Sequence, residues 1–180
     1  MQKKYIDLVK TKLQDKNLDN SSKAYYNRIL RVLDMSDLSK QVWNPINLIV
    51  ESIVSSDYYS WFKVAFSPEI VWEFETFDLF NFPENHVARR PSDSYFIEKT
   101  NDKSKNILLR THTTVIWYHY LLWQNWMTDL QNNWEVKVLS YWKVYRVDEL
   151  DKSHLECLHQ IDWIKIIKKS KEIINQETLK

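Results

Sequence analysis

Between Val144 and Asp162 the chain reads VYRVDELDKSHLECLHQID, a stretch that gathers four kinds of chemically useful side chain. Arg146 stands at the end of an apolar strand-like run, and His154 lies in an acidic turn. Gln160 and Asp162 then sit two apart on a returning alternating run, so both point to one side of a strand. An arginine binds phosphate oxygens through a planar fork that stays charged. An amide and a carboxylate side by side accept hydrogen bonds from an ammonium group. The combination suits a site that holds an anionic phosphate beside a small cationic amine.

Such a hairpin must be carried by a sheet, and the rest of the chain supplies one. Residues 1–40 read as two short amphipathic helices: Ile6, Val9 and Leu13 share one face, and Ile29, Leu30, Val32 and Leu33 mark the second after an Asp-Asn-Ser-Ser cap signal at 19–22. Asn44-Pro45 opens a helix whose Ile46, Ile49, Val50, Ile53 and Val54 form an apolar stripe, read as core or subunit interface. A short strand is expected over 62–66 and a bend at 67–70. The aromatic segment 75–83 stops at a proline, and a polar loop holds Asn85, His86, Arg89 and Arg90. Strands over 94–98 and 107–110 flank a charged turn, and helical spacing runs from Thr111 to about Gln131. Strands over 136–147 and up to about 167 embrace a hairpin at 148–153. The order argues an α+β fold with a mostly antiparallel sheet.

Composition narrows the function classes. With 180 residues, 44% hydrophobic and 27% charged, the chain is long enough for a packed core and too apolar for disorder. A formal net charge of +1 gives no global polyanion signal, so nucleic-acid contact would need a local patch, and no DNA partner is expected. Cys157 alone forms no internal disulfide, which suits a reducing cytoplasm, and no secretory or membrane-spanning run stands out. His119 and His159 lack metal-ligand spacing, so any metal site is unknown, and Cys157 reads as a packed small hydrophobe.

Six blocks in order carry a resemblance: SPEI at 67–70, TFDLFNFPENHVARR at 76–90, SDSYFI at 92–97, LLRTHTT at 108–114, KVLSYWKVYRVDELDKSH at 137–154 and LHQIDWI at 158–164. Over about 44 to 180 the chain resembles the α subunits of phenylalanyl-tRNA synthetases, class II aminoacyl-tRNA synthetases. The resemblance implies a class II antiparallel sheet flanked by helices, here incomplete, with residues 1–43 as an N-terminal helical extension and 44–180 as catalytic core. SPEI, with the helix before it, resembles motif 1, which builds the dimer interface, and VYRVDE resembles motif 2, which holds ATP. Motif 3 has no counterpart before Lys180, so the 180-residue chain alone is expected to be inactive without it and a β subunit.

By the same resemblance Arg146 is the catalytic, phosphate-binding arginine, with Asp148 and His154 also on the ATP side. His112, Thr114, Gln160 and Asp162 would bind phenylalanine, Asp162 standing where the family has glutamate. The implied activity is formation of phenylalanyl-adenylate from ATP, with Mg²⁺, then transfer to tRNA(Phe), by an α₂β₂ tetramer in the cytoplasm. The rival reading is a decayed or non-catalytic relative that binds an amino acid or a partner subunit.

The composition holds one anomaly: no glycine, where about 7% usage would give roughly a dozen, and nine tryptophans. Trp61, Trp134, Trp142 and Trp163 fall where the resembled family has glycine. The expectation is that the source reads UGA as glycine and that the written chain shows those codons as tryptophan. UGG behind Trp61, Trp142 and Trp163 would overturn it.

Overall fold

A computed structural model describes residues 2–123, 126–147 and 157–169. Helices α1 (Gln2–Leu13) and α2 (Asn20–Asp34) stand where periodicity put them, and the Asp19 carboxylate accepts the Ser22 N–H at 2.9 Å to cap α2. Their shared apolar face, with Val9, Ile29 and Val32 fully buried, closes over a three-stranded antiparallel sheet in the order β2 (Ile70–Trp72), β4 (Ile107–Leu109), β3 (Phe96–Glu98). The Tyr25 hydroxyl lies over the edge of β3, accepting the Phe96 N–H at 2.7 Å and donating to the Phe96 carbonyl at 3.2 Å. That covers backbone groups an edge strand would otherwise leave open.

The second sheet has the order β1 (Lys63–Val64), β5 (Glu135–Tyr145), β6 (Cys157–Ile167). β5 and β6 pair antiparallel along their whole length, from Glu135 opposite Ile167 to Tyr145 opposite Cys157. β1 pairs parallel to β5, among the described residues the one parallel ladder in a mostly antiparallel arrangement. A parallel partner needs a long crossover, and the intervening sheet and helices provide it. α5 (Thr114–Trp123) and α6 (Trp126–Asn133) join this sheet in a core that includes Val115, Ile116, Leu130 and Val138. α3 (Pro45–Val54) buries Val50 but leaves Ile49 60% exposed, so its apolar stripe is only partly used inside the chain.

The two sheets are tied together by Arg110, whose guanidinium is buried. Its Nε and Nη2 donate to the Lys143 carbonyl at 3.1 and 2.8 Å, and its Nη1 to the Ser67 carbonyl at 3.0 Å. Lys143 Nζ in turn meets Glu69 at 3.0 Å and the Met35 carbonyl at 2.7 Å, and the Tyr145 hydroxyl donates to Glu69 at 2.8 Å. Buried charges persist only when paired and hydrogen-bonded, and this group satisfies both conditions. The end of β5 is thereby fixed in space.

Among the described residues three have positive φ: Trp43 at 70°, Asn81 at 54° and Trp134 at 63°. Asparagine tolerates that region; a bulky side chain does not. Trp134 follows α6 directly, with its N–H bonded to the Leu130 carbonyl at 2.9 Å, at the position where helices commonly end in a left-handed glycine. Trp61, Trp142 and Trp163 are not in that region. Trp142 is buried, donates its indole N–H to the Ala65 carbonyl at 3.0 Å and packs on Phe66; Trp163 lies edge-on to Phe62.

Candidate active site

Leaving β4, the chain passes the anchored Arg110 and presents residues 111–113 before α5 begins at Thr114. His112 Nε2 lies 2.8 Å from the Thr76 carbonyl, which can only accept, so Nε2 carries the proton and Nδ1 is the acceptor. The ring lies flat on Phe82, at 5.6 Å and 2°, with Phe80 edge-on. Burial lowers the His112 pKa below its ordinary 6.5, so the imidazole is neutral near pH 7. Among the described residues its buried Nδ1 has no hydrogen-bond partner.

From the opposite side β6 brings Gln160 and Asp162 to one face, as their spacing requires. The Gln160 amide donates to Asp162 Oδ2 at 2.9 Å. Thr113 completes the group: its hydroxyl donates to the same carboxylate oxygen at 2.6 Å and its N–H to Gln160 Oε1 at 3.2 Å. His112, Thr114, Gln160, Phe82, His86 and Arg146 line one cavity of about 390 Å³, within the size range of small-molecule sites. Asp162 stands one hydrogen bond behind Gln160. The Arg146 side chain is exposed, yet the backbone on both sides of it is held, by Tyr145 N–H to the Arg110 carbonyl at 2.9 Å and Val147 N–H to the Asp93 carbonyl at 3.0 Å. Asp148, His154 and the hairpin at 148–153 lie outside the described residues.

A model of the tRNA synthetases class II core domain (F) matches residues 32–173. This chain belongs to the class II tRNA synthetase core family. Among curated relatives of this class II chain, the phenylalanine–tRNA ligase alpha subunit of Nitrosospira multiformis is 34% identical over 123 residues, covering 67% of this chain and 33% of that protein. The alpha subunit from Geobacter sulfurreducens is 35% identical over 121 residues, with 66% and 31% covered. The class II chain thus spans about a third of the length of the curated relatives it matches. Among solved structures, a pyrrolysyl-tRNA synthetase from Desulfitobacterium hafniense aligns with a TM-score of 0.47 at 13% identity, over 90% of this chain and 57% of that one.

The class II site contains residues that sequence spacing did not pick out. Thr113 lies between His112 and Thr114, and the turn into α5 aims its hydroxyl at Asp162. Phe82 reaches the cavity from a loop some thirty residues away in sequence; His86, already marked in the polar loop, packs edge-on to it and accepts the Ala88 N–H at 3.2 Å. His159 points away from the cavity, accepting the Leu38 N–H at 3.0 Å. Cys157 is buried and its thiol is pushed up to about 11, so it is a packed and unreactive side chain.

His112 and His159 both have pKa values lowered chiefly by burial, from an ordinary 6.5. The unfolded chain therefore binds more protons than the folded one as pH falls through the mid-6 range. Their contribution to stability is present above about pH 6.5 and declines below it. A melting series is expected to show the transition temperature falling from pH 7 to pH 5, with the fall reduced in His112→Asn. An identical fall in that variant would contradict the assignment.

Proposed function

We propose that this chain forms the motif 1 and motif 2 portion of a phenylalanine–tRNA ligase α subunit, with residues 1–43 as its helical extension and 44–180 as part of its catalytic core. The observation that carries the reading is that Arg146, His112, Thr114 and Gln160 line one cavity, with Asp162 hydrogen-bonded to Gln160. A cation for phosphate and acceptors for an amine meet there.

In the proposed reaction the carboxylate of phenylalanine attacks the α-phosphorus of ATP. A carboxylate–phosphate bond forms, the bond to the β-phosphate breaks, and pyrophosphate leaves. The terminal adenosine of tRNA(Phe) then takes the acyl group and AMP departs. Nothing covalent is asked of the protein, so rate comes from alignment and from stabilising charge on the α-phosphate. Arg146 supplies that cation, with Asp148 and His154 assigned to the ATP side. Gln160 and Asp162 receive the ammonium, Thr113 holds their oxygens in place, and His112 with Thr114 lines the amino-acid side.

Magnesium is expected to travel with the nucleotide. Among the described residues no group of three or more His, Cys, Asp or Glu side chains could hold a metal ion, so no step is assigned to a protein-held metal. A β subunit is the proposed partner, in an α₂β₂ tetramer, and the exposed part of the α3 stripe is a surface it or a second α subunit would cover. The proposed location is the cytoplasm; among the described residues no helix is long and apolar enough to cross a membrane.

The test is ATP–pyrophosphate exchange by the complete gene product assembled with its partner subunit. Exchange that depends on phenylalanine is expected. No exchange at saturating phenylalanine and ATP would overturn the ligase reading in favour of a binding module.

A further inference from the structure

Arg89 is a buried guanidinium outside the groups assigned above. Its Nε donates to the Pro83 carbonyl at 3.1 Å. Its Nη2 donates both to the Phe82 carbonyl at 2.8 Å and to Asp78 Oδ1 at 2.9 Å. Glu73 Oε1 lies 3.7 Å from Nη1, and the Phe77 ring lies 5.1 Å beneath the cation. The two carbonyls belong to adjacent residues, and the first is that of the phenylalanine stacked flat on His112. The loop's return is held as well, by Ser94 Oγ donating to the Ala88 carbonyl at 2.5 Å and Lys99 Nζ donating to the Arg89 carbonyl at 2.9 Å.

We propose that Arg89 is a positioning residue for the amino-acid side of the cavity, holding Phe82 flat against His112 through the Phe82 and Pro83 carbonyls. Its planar fork is what the geometry uses. Three donors in one plane meet two carbonyls and a carboxylate at once, which a lysine ammonium on a flexible stem does not reproduce. With those carbonyls released, Phe82 is free to tilt and water reaches the imidazole. The catalytic consequence rests on the ligase reading; the structural one does not.

Arg89→Lys keeps the charge and the pairing with Asp78 while losing the two-carbonyl clamp. The first readout is the His112 imidazole titration followed by NMR on the 180-residue chain. Arg89→Lys is expected to raise its midpoint by about half a pH unit, towards the solvated value, as burial is relieved. The groups that act on this imidazole in the folded chain (Thr76, Asp162, Arg146 and Arg110) are unchanged in the variant. The second readout is exchange kinetics of the complete gene product with its partner. The KM for phenylalanine is expected to rise about tenfold while that for ATP stays put, because uniform binding is lost on one substrate only. Phe82→Leu is expected to do the same, and the double variant to be no worse than either single one, since both act through one contact.

An unchanged His112 midpoint in Arg89→Lys would overturn the inference. So would KM values that rise together for both substrates, or effects of the two substitutions that simply multiply. Should Arg89→Lys not fold, the His112 midpoint in Phe82→Leu decides, and an unchanged value there overturns it equally. A complete gene product without phenylalanine-dependent exchange would count against the ligase reading alone, because the titration still reports on Arg89.

Discussion

In the proposed ligase, Arg146→Ala is expected to lower kcat for phenylalanine-dependent pyrophosphate exchange by about 10²–10³-fold, the loss that follows removal of one preorganised donor from a developing anion. That corresponds to about 3–4 kcal/mol of transition-state stabilisation. The phenylalanine KM should change little, since Gln160, Asp162 and Thr113 are untouched. Arg146→Lys should recover only part of the rate, because an ammonium offers a point charge in place of a two-pronged donor. Folding should be spared: the side chain is exposed, and what fixes this position is backbone, through Tyr145 and Val147 on either side. Thermal melts of the variant should therefore overlay the parent. A kcat within tenfold of the parent would remove Arg146 from the phosphate side of the proposed reaction.

The backbone around Arg146 explains why an exposed side chain can be aimed. Arg110 bonds the Lys143 carbonyl and its own carbonyl receives the Tyr145 N–H, so one buried residue clamps the strand immediately before Arg146. Glu69, Lys143 and Tyr145 complete that clamp, and Glu69 lies within the segment that resembles motif 1. The proposed interface motif and the proposed ATP motif thus share a buried ionic cluster.

What could be read in advance was local. α1, α2 and α3 announced themselves through 3.6-residue spacing and through Asp19 and Asn44 as caps, both of which do accept backbone N–H groups. β5 and β6 were visible as alternation, and the spacing of two between Gln160 and Asp162 was enough to place them on one face. What stayed hidden depends on contacts between residues far apart in sequence. Thr113 meets Asp162 across 49 positions, and Arg110 reaches Lys143 across 33. Neither distance leaves a periodic trace. Arg89 and Phe82 were visible only as members of a polar and aromatic loop, since what matters about them is which carbonyl faces which donor. The parallel pairing of β1 was equally silent, because a two-residue strand carries no directional signal.

The tryptophans are the point at which sequence and backbone disagree most sharply, and they set the second large effect. Trp43→Gly and Trp134→Gly are each expected to stabilise the chain, by about 1–2 kcal/mol, the cost of holding a residue with a Cβ in the left-handed region. For a chain of this size that is about 2–8 °C in melting temperature. Trp43 is the cleaner case, being 82% exposed at φ 70°, so little packing is lost with the indole. At Trp134 the gain is offset in part by contacts of a ring that is 44% exposed, with the Lys168 ammonium 5.7 Å from it. The contrast is Trp142→Gly, in the chain as written. That indole is 7% exposed and hydrogen-bonded to the Ala65 carbonyl, so its removal leaves a cavity expected to cost about 3–5 kcal/mol. If Trp43→Gly or Trp134→Gly lowers the melting temperature, the left-handed backbone does not call for glycine there. The codons give an independent reading. UGA at positions 43 and 134 is expected if these sites are translated as glycine in the source, and UGG at both would mean that the indoles are genuine and their backbone strain is carried by the native protein.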